Sequence, residues 1–261
     1  MIGSGDSLVG APPDGPDTAQ PSMQPSISRV LADLAAVGPF FELRDVVAER
    51  AEGRVVRPCT ALLGELDERI ERTRVALDAH GRLGRRIAAS ITAQGLAAKL
   101  VSGPVAAMAM HDVAVDTTRA TVWWSATPAG DVVALDPVRF VPSRDTVARF
   151  PVVDEILVPL VEAIHDGFGV SPTVLWGNVA SSVAGAKRVL DIQRPDLARQ
   201  VADAAADMLA HPRLSEEGER RDPVAPDQLW TYRRRSCCLY YRLPGGNVCA
   251  DCVLQNRWSD H

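Results

Sequence analysis

Arg233-Arg234-Arg235-Ser236-Cys237-Cys238-Leu239-Tyr240-Tyr241-Arg242-Leu243-Pro244-Gly245-Gly246-Asn247-Val248-Cys249-Ala250-Asp251-Cys252 carries four of the chain's five cysteines in the pattern C-C-x10-C-x2-C. Clustered thiols of this kind select either zinc or an iron-sulfur cluster. Pro244-Gly245-Gly246 reads as a turn. A regular hairpin centred on the two glycines would put Cys252 beside Cys238 but leave Cys249 opposite Arg242, roughly 10 Å along the strand at about 3.3 Å per residue. The hairpin must therefore break before Cys249, so that Cys249 to Cys252 forms a tight loop. Adjacent Cys237 and Cys238 add a second demand, because successive side chains of a strand point to opposite faces. Either the backbone kinks there or the ligand is larger than one ion. Two irons accommodate vicinal cysteines more readily than a tetrahedral zinc with its usual C-x2-4-C half-sites, and a structural zinc site stays open as the alternative.

Working outward, the 261-residue chain is long enough for a sizeable core. Hydrophobic residues make up 46% and charged residues 23%, an ordinary globular balance. Lys and Arg total 28 against 33 Asp and Glu, and the net charge of -5 offers no general attraction to nucleic acid or to an anionic membrane. The most apolar stretches are interrupted by Asp154, Glu155 and Glu162, or by Lys99 and Pro104, so no transmembrane segment is expected. The start of the chain lacks the basic and apolar regions of a secretory signal, which predicts a cytoplasmic protein. Thiols stay reduced there, which favours metal or redox chemistry over structural disulfides.

Three regions are expected. Residues 1–26 are rich in Gly, Pro, Ser, Asp and Gln and read as a disordered tail. Residues 27–227 read as a mainly helical body. Ile27, Val30, Leu31 and Leu34 recur at helical spacing until Gly38-Pro39, with Ser26 or Ser28 as cap. A longer helix is predicted over Thr60 to His80, ended by Gly81, and another over Leu83 to Val101, ended or restarted at Ser102-Gly103-Pro104. Thr121-Val122-Trp123-Trp124 and Val132-Val133-Ala134-Leu135 flank Pro128-Ala129-Gly130-Asp131, the signature of a small antiparallel sheet. Further helices are predicted over Val152 to Phe168, Pro172 to Leu190 and Pro195 to Leu209. A polar, Pro-rich linker over 211–227 leads to a short cysteine-rich module, residues 228–261. The fold class is α+β.

The cysteine pattern at the C-terminus, following a mainly helical body, resembles the FhuF-type ferric siderophore reductases. The similarity is strongest over Arg234 to Cys252 and extends weakly to Leu175-Trp176-Gly177-Asn178 and to Ala97-Ala98-Lys99-Leu100-Val101-Ser102-Gly103-Pro104. The resemblance implies a 2Fe-2S cluster on Cys237, Cys238, Cys249 and Cys252 that reduces siderophore-bound Fe(III). Four thiolates, two ferric ions and two sulfides carry two net negative charges, and three after reduction, so nearby positive charge stabilises the reduced form. Arg233, Arg234, Arg235 and Arg242 are the candidates for that role; Trp176 and Asn178 are candidates for substrate contact or tuning.

No G-x-G-x-x-G follows a strand, so the residues reveal no nucleotide site and the electrons are expected from an external donor, a protein or a diffusible reductant. Neither a hydrolytic histidine motif nor a G-x-S-x-G elbow is present. Cys59 reads as a small buried hydrophobe. The competing function is that of a zinc-stabilised, non-catalytic siderophore- or partner-binding protein. The pocket is expected between the helical body and the cysteine module, where an acceptor could approach a cluster.

Overall fold

The computed structural model describes residues 25–78, 83–127, 130–143, 150–243 and 245–255. All but the last two residues of the expected tail lie outside them. Helix α1 (Ile27–Val37) begins where Ser26 accepts a hydrogen bond from the Arg29 amide at 3.3 Å and ends at Gly38. Its spacing turns Val30, Leu34 and Val37 into the core. Strand β1 (Leu43–Asp45) leads directly into α2 (Val46–Ala51), whose first amides bond to the Asp45 side chain. Strand β2 (Val56–Pro58) follows. The helix predicted from Thr60 divides at Glu65 into α3 (Ala61–Gly64) and α4 (Leu66–Leu77); its predicted end at His80-Gly81 lies outside the described residues.

Helix α5 (Arg85–His111) corrects an expectation. It does not stop at Ser102-Gly103-Pro104 but runs through all three. Pro104 has no amide to donate to the turn before it, yet residues 100–109 are buried on every side, and that packing outweighs one missing hydrogen bond. Ser102 Oγ donates to the Ala98 carbonyl at 2.7 Å. At Gly103 a Cβ would come within 2.9 Å of Leu43 Cγ, so glycine here allows α5 to lie directly against β1.

After α5 come β3 (Val113–Val115), β4 (Val122–Thr127), β5 (Gly130–Leu135) and β6 (Phe140–Pro142). The expected β4–β5 hairpin forms with Trp124 opposite Val133; Pro128 and Ala129 of its turn lie outside the described residues. Trp124 is buried and Trp123 half-buried, as strand alternation requires. The sheet is mixed rather than purely antiparallel. Its order is β1-β5-β4-β2, and β1 pairs with β5 in parallel because the intervening helices supply the long crossover that parallel pairing needs.

A π-helical turn, Val153–Leu157, opens into α6 (Val158–Phe168), closed by Gly169 at φ 65°. Helix α7 (Pro172–Gln193) and α8 (Ala198–Leu209) pack with α5 as the centre of the body, α5 against α7 most extensively. The segment read as a linker contains a strand. β7 (Gly218–Arg221) pairs antiparallel with β8 (Thr231–Arg234). Three of its four residues are exposed, so no buried face marked it as a strand in the sequence. Among the described residues no helix is long and apolar enough to cross a membrane.

Candidate metal centre

Strand β8 aims Tyr232 and Arg234 inward and continues into Ser236, Cys237 and Cys238. No hairpin follows. Leu239 takes φ 69°, the left-handed conformation that kinks the chain beside the vicinal cysteines, and Tyr240–Arg242 form a single 3-10 turn. Gly245 at φ 75° and a hydrogen bond from the Gly246 amide to the Leu243 carbonyl, 2.9 Å, return the chain toward Cys249. The Cys249 to Cys252 loop is closed by its own backbone bond at 3.0 Å. In consequence Cys238 Sγ and Cys249 Sγ meet at 3.2 Å, and two amides point at sulfurs, Leu239 N to Cys237 Sγ at 3.4 Å and Leu254 N to Cys252 Sγ at 3.3 Å. Cys238 and Cys252 are buried; Cys237 and Cys249 are half-buried.

Among the described residues no group of three or more His, Cys, Asp or Glu side chains is set around one ion. Cys238 and Cys249 approach each other as a pair. The hydrogen bond from Cys249 pulls the Cys238 thiol down against the burial that opposes it. Burial pushes the Cys237 thiol up, with the amide of Leu239 opposing. The positive charge of Arg234 acts in the lowering direction on Cys237, Cys238 and Cys249 alike.

Arg234 is 1% exposed and is held from two sides. Its Nη2 donates to Asn178 Oδ1 at 2.6 Å, and its backbone amide to the Asp251 carbonyl at 3.0 Å. Asn178 in turn donates to the Ser90 carbonyl and Oγ at 2.9 and 3.0 Å, and Ser90 Oγ donates to the Cys238 carbonyl at 2.9 Å. This buried relay fastens the cysteine loop to α5 and α7. Gly177 lets the module seat on α7: a Cβ there would overlap Ser236 Oγ and lie 3.3 Å from Arg234 Nη2. Arg234 Nε and Nη1 are buried and have no hydrogen-bond partner among the described residues.

The remaining candidates divide. Arg235 is exposed and bonds to Glu216, and Arg242 is exposed over the Tyr241 ring, with Nε 3.1 Å from its hydroxyl. Arg233 Nη2 donates to the Val253 carbonyl at 3.2 Å. Trp176 is buried in the core with Arg213 over its ring, and Cys59 is core-packed near Arg119. Sequence reasoning missed Ser90, because one serine in a helix rich in small residues gives no spacing signal. It also left Gly177 without a role of its own.

A cleft of about 490 Å³ opens between α5, α7, the Phe40-Phe41 turn and Tyr240, and Cys249 forms part of its wall. It joins the body to the cysteine loop.

No curated protein matches the chain. Residues 234–254 match the family model for the FhuF 2Fe-2S C-terminal domain, a segment that contains all four clustered cysteines. The residues present fit such a group. Four soft thiol donors lie in one segment, two of them already in sulfur-sulfur contact, and two buried guanidinium nitrogens of Arg234 have no acceptor among the described residues. The chain thus carries a FhuF-type 2Fe-2S C-terminal domain at residues 234–254.

Proposed function

We propose that this protein is a cytoplasmic ferric-siderophore reductase whose 2Fe-2S cluster is ligated by Cys237, Cys238, Cys249 and Cys252. The observation that carries the reading is the buried Arg234, whose charge bears on three of these thiols while two of its nitrogens, Nε and Nη1, stay unpaired among the described residues. A fixed cation among the thiols favours a centre that gains a third negative charge on reduction, beyond the two that four thiolates leave on either a zinc ion or an oxidised 2Fe-2S cluster.

When bound, the cluster supplies one reversible electron. The chain's own residues hold it, offset its charge and limit water. Arg234, fixed by Asn178, supplies positive charge without any rearrangement. Cys238 and Cys252 are buried, whereas Cys249 borders the cleft. The substrate Fe(III) takes one electron and becomes Fe(II), the reduced protein is oxidised by that one electron, and an external one-electron donor restores it. Fe(II) is the weaker Lewis acid and leaves hard oxygen donors more readily, which then take protons from water. Residues 228–261 act in this reading as the electron-transfer module and residues 27–227 offer the substrate surface.

The test is an anaerobic visible absorption spectrum before and after dithionite, followed by a ferric siderophore and a colorimetric Fe(II) chelator. Bands that bleach on reduction and return as Fe(II) appears are expected. A colourless, zinc-containing protein isolated under cluster-preserving conditions would overturn the proposal in favour of a zinc-stabilised binding protein.

A further inference from the structure

We propose that the cleft bordered by Cys249 seats the acceptor as a ferric chelate of little net charge with aromatic or aliphatic flanks, and that the electron leaves the protein past Cys249. This rests on the reductase reading and specifies where and on what it acts.

The cleft lies between the two helices that also hold the relay to the cysteine loop. Ile91, Gly95 and Ala98 of α5 face Gly185, Ala186 and Val189 of α7 across it, with Phe40 and Tyr240 at its sides. Those two rings are 43% and 40% exposed, unusual for large apolar groups in a chain whose other aromatic rings are mostly covered. Flat rings at the mouth of an apolar cleft suit a ligand that presents flat or aliphatic faces.

Charge narrows the occupant further. Among the described residues that line the cleft none bears a carboxylate, ammonium or guanidinium, and Lys99 lies over Phe40 at its edge with Nζ 4.9 Å from the ring centre. A chelate with several negative charges would surrender its hydration there with no cation among the described lining residues to replace it. One whose arms neutralise Fe(III) loses little and gains apolar contact.

Cys249 is the cysteine that borders this cleft, and its sulfur touches that of Cys238. An acceptor in the cleft therefore lies against the ligand set itself, and one electron passes from the reduced protein to Fe(III) without crossing the body. Gly95 adds a further mark. It sits inside α5, where glycine is among the poorest helix formers, and a Cβ built on it meets nothing within 4 Å. That open space belongs to the cleft.

Redox-inert gallium separates seating from electron transfer. Binding of neutral tris(maltolato)gallium(III) and of trianionic tris(catecholato)gallate(III) to the cluster-loaded protein is measured by calorimetry, alongside G95L and F40S, and the reduced protein is then given ferric maltolate. The neutral chelate is expected to bind at least tenfold more tightly than the trianion, and G95L to lose at least tenfold in affinity with its visible spectrum unchanged; F40S, altered at an exposed ring, is expected to weaken binding several-fold. Equal affinity in wild type and both variants, or failure of the neutral chelate to bind while ferric maltolate is still reduced, overturns the cleft assignment and leaves the reductase reading standing. Binding at the cleft without reduction of ferric maltolate overturns the reductase reading and the exit past Cys249 with it.

Discussion

Arg234 Nη2 donates to Asn178 Oδ1 across 2.6 Å, with both side chains shut away from solvent. The bond fixes a full positive charge beside the cysteines, and Asn178 passes the constraint through Ser90 to the Cys238 carbonyl. If this charge offsets what reduction adds, R234Q should lower the midpoint potential by on the order of 60 mV, a tenfold shift in a one-electron equilibrium. R234K, which keeps the charge, should stay within a fraction of that. A redox titration followed by visible absorbance gives both numbers. An unchanged potential in R234Q would leave Arg234 a purely structural anchor.

Gly177 and Gly185 are both glycines of α7, eight residues apart, and should respond to alanine in opposite directions. A Cβ on Gly177 would overlap Ser236 Oγ, whereas one on Gly185 meets nothing within 4 Å. G177A should push the cysteine segment off the helix, costing about 1–3 kcal/mol as overpacking does, and lower the amount of cluster retained. G185A should gain up to about 1 kcal/mol from helix propensity. Denaturant titration of the two variants, with iron content measured beside it, checks the contrast. Two variants of equal stability would mean that the module does not seat on Gly177.

These positions show how far the sequence could be read and where it stopped. The fold class and most helices of the body follow from apolar spacing and from caps such as Ser26 and Gly169, because one buried face imposes its period on the residues. Helix α5 ran past its predicted stop because a local break at Pro104 lost to burial, and burial on all sides leaves no amphipathic period to read. Strand β7 was missed for the opposite reason, as exposure leaves no period either. The cysteines announced themselves by type and spacing. The bonds that support them did not: the Ser90, Asn178 and Arg234 side chains donate to groups 56 to 148 residues away, and only the packing of α5 on α7 brings them together.

Cys249 and Cys59 offer a cleaner test of ligand identity than Cys249 alone. C249S should lose the visible bands and most of the bound iron, since Cys249 lies 3.2 Å from Cys238 and borders the loop that closes on Cys252. C59S should keep both, because Cys59 is packed in the core, where its sulfur lies 3.5 Å from the Arg119 carbonyl. Iron and sulfide assays with the absorption spectrum distinguish the cases. A C249S protein with full absorbance would remove Cys249 from the ligand set.

Glu49 predicts an acid limit on stability that is independent of the cysteines. It is 2% exposed on α2 and accepts from Ser125, Arg44 and Arg54. Burial would raise its carboxyl, but the hydrogen bonds from Ser125 and Arg44 and the charges of both arginines outweigh it and hold the group below the ordinary 4.5. The folded state therefore binds fewer protons than the unfolded chain between the two values. Its contribution is complete above about pH 4.5 and is lost as pH falls through the depressed value. E49Q should cost about 2 kcal/mol at neutral pH, the scale of a hydrogen bond to a charged group, discounted because Glu42 and Glu52 still pair with Arg44 and Arg54. In acid, where wild-type Glu49 is itself neutral, the gap between the two proteins should close. Urea unfolding of both at neutral and at strongly acidic pH measures it, and a gap that stays constant across that range would place the cost of E49Q in packing rather than in charge.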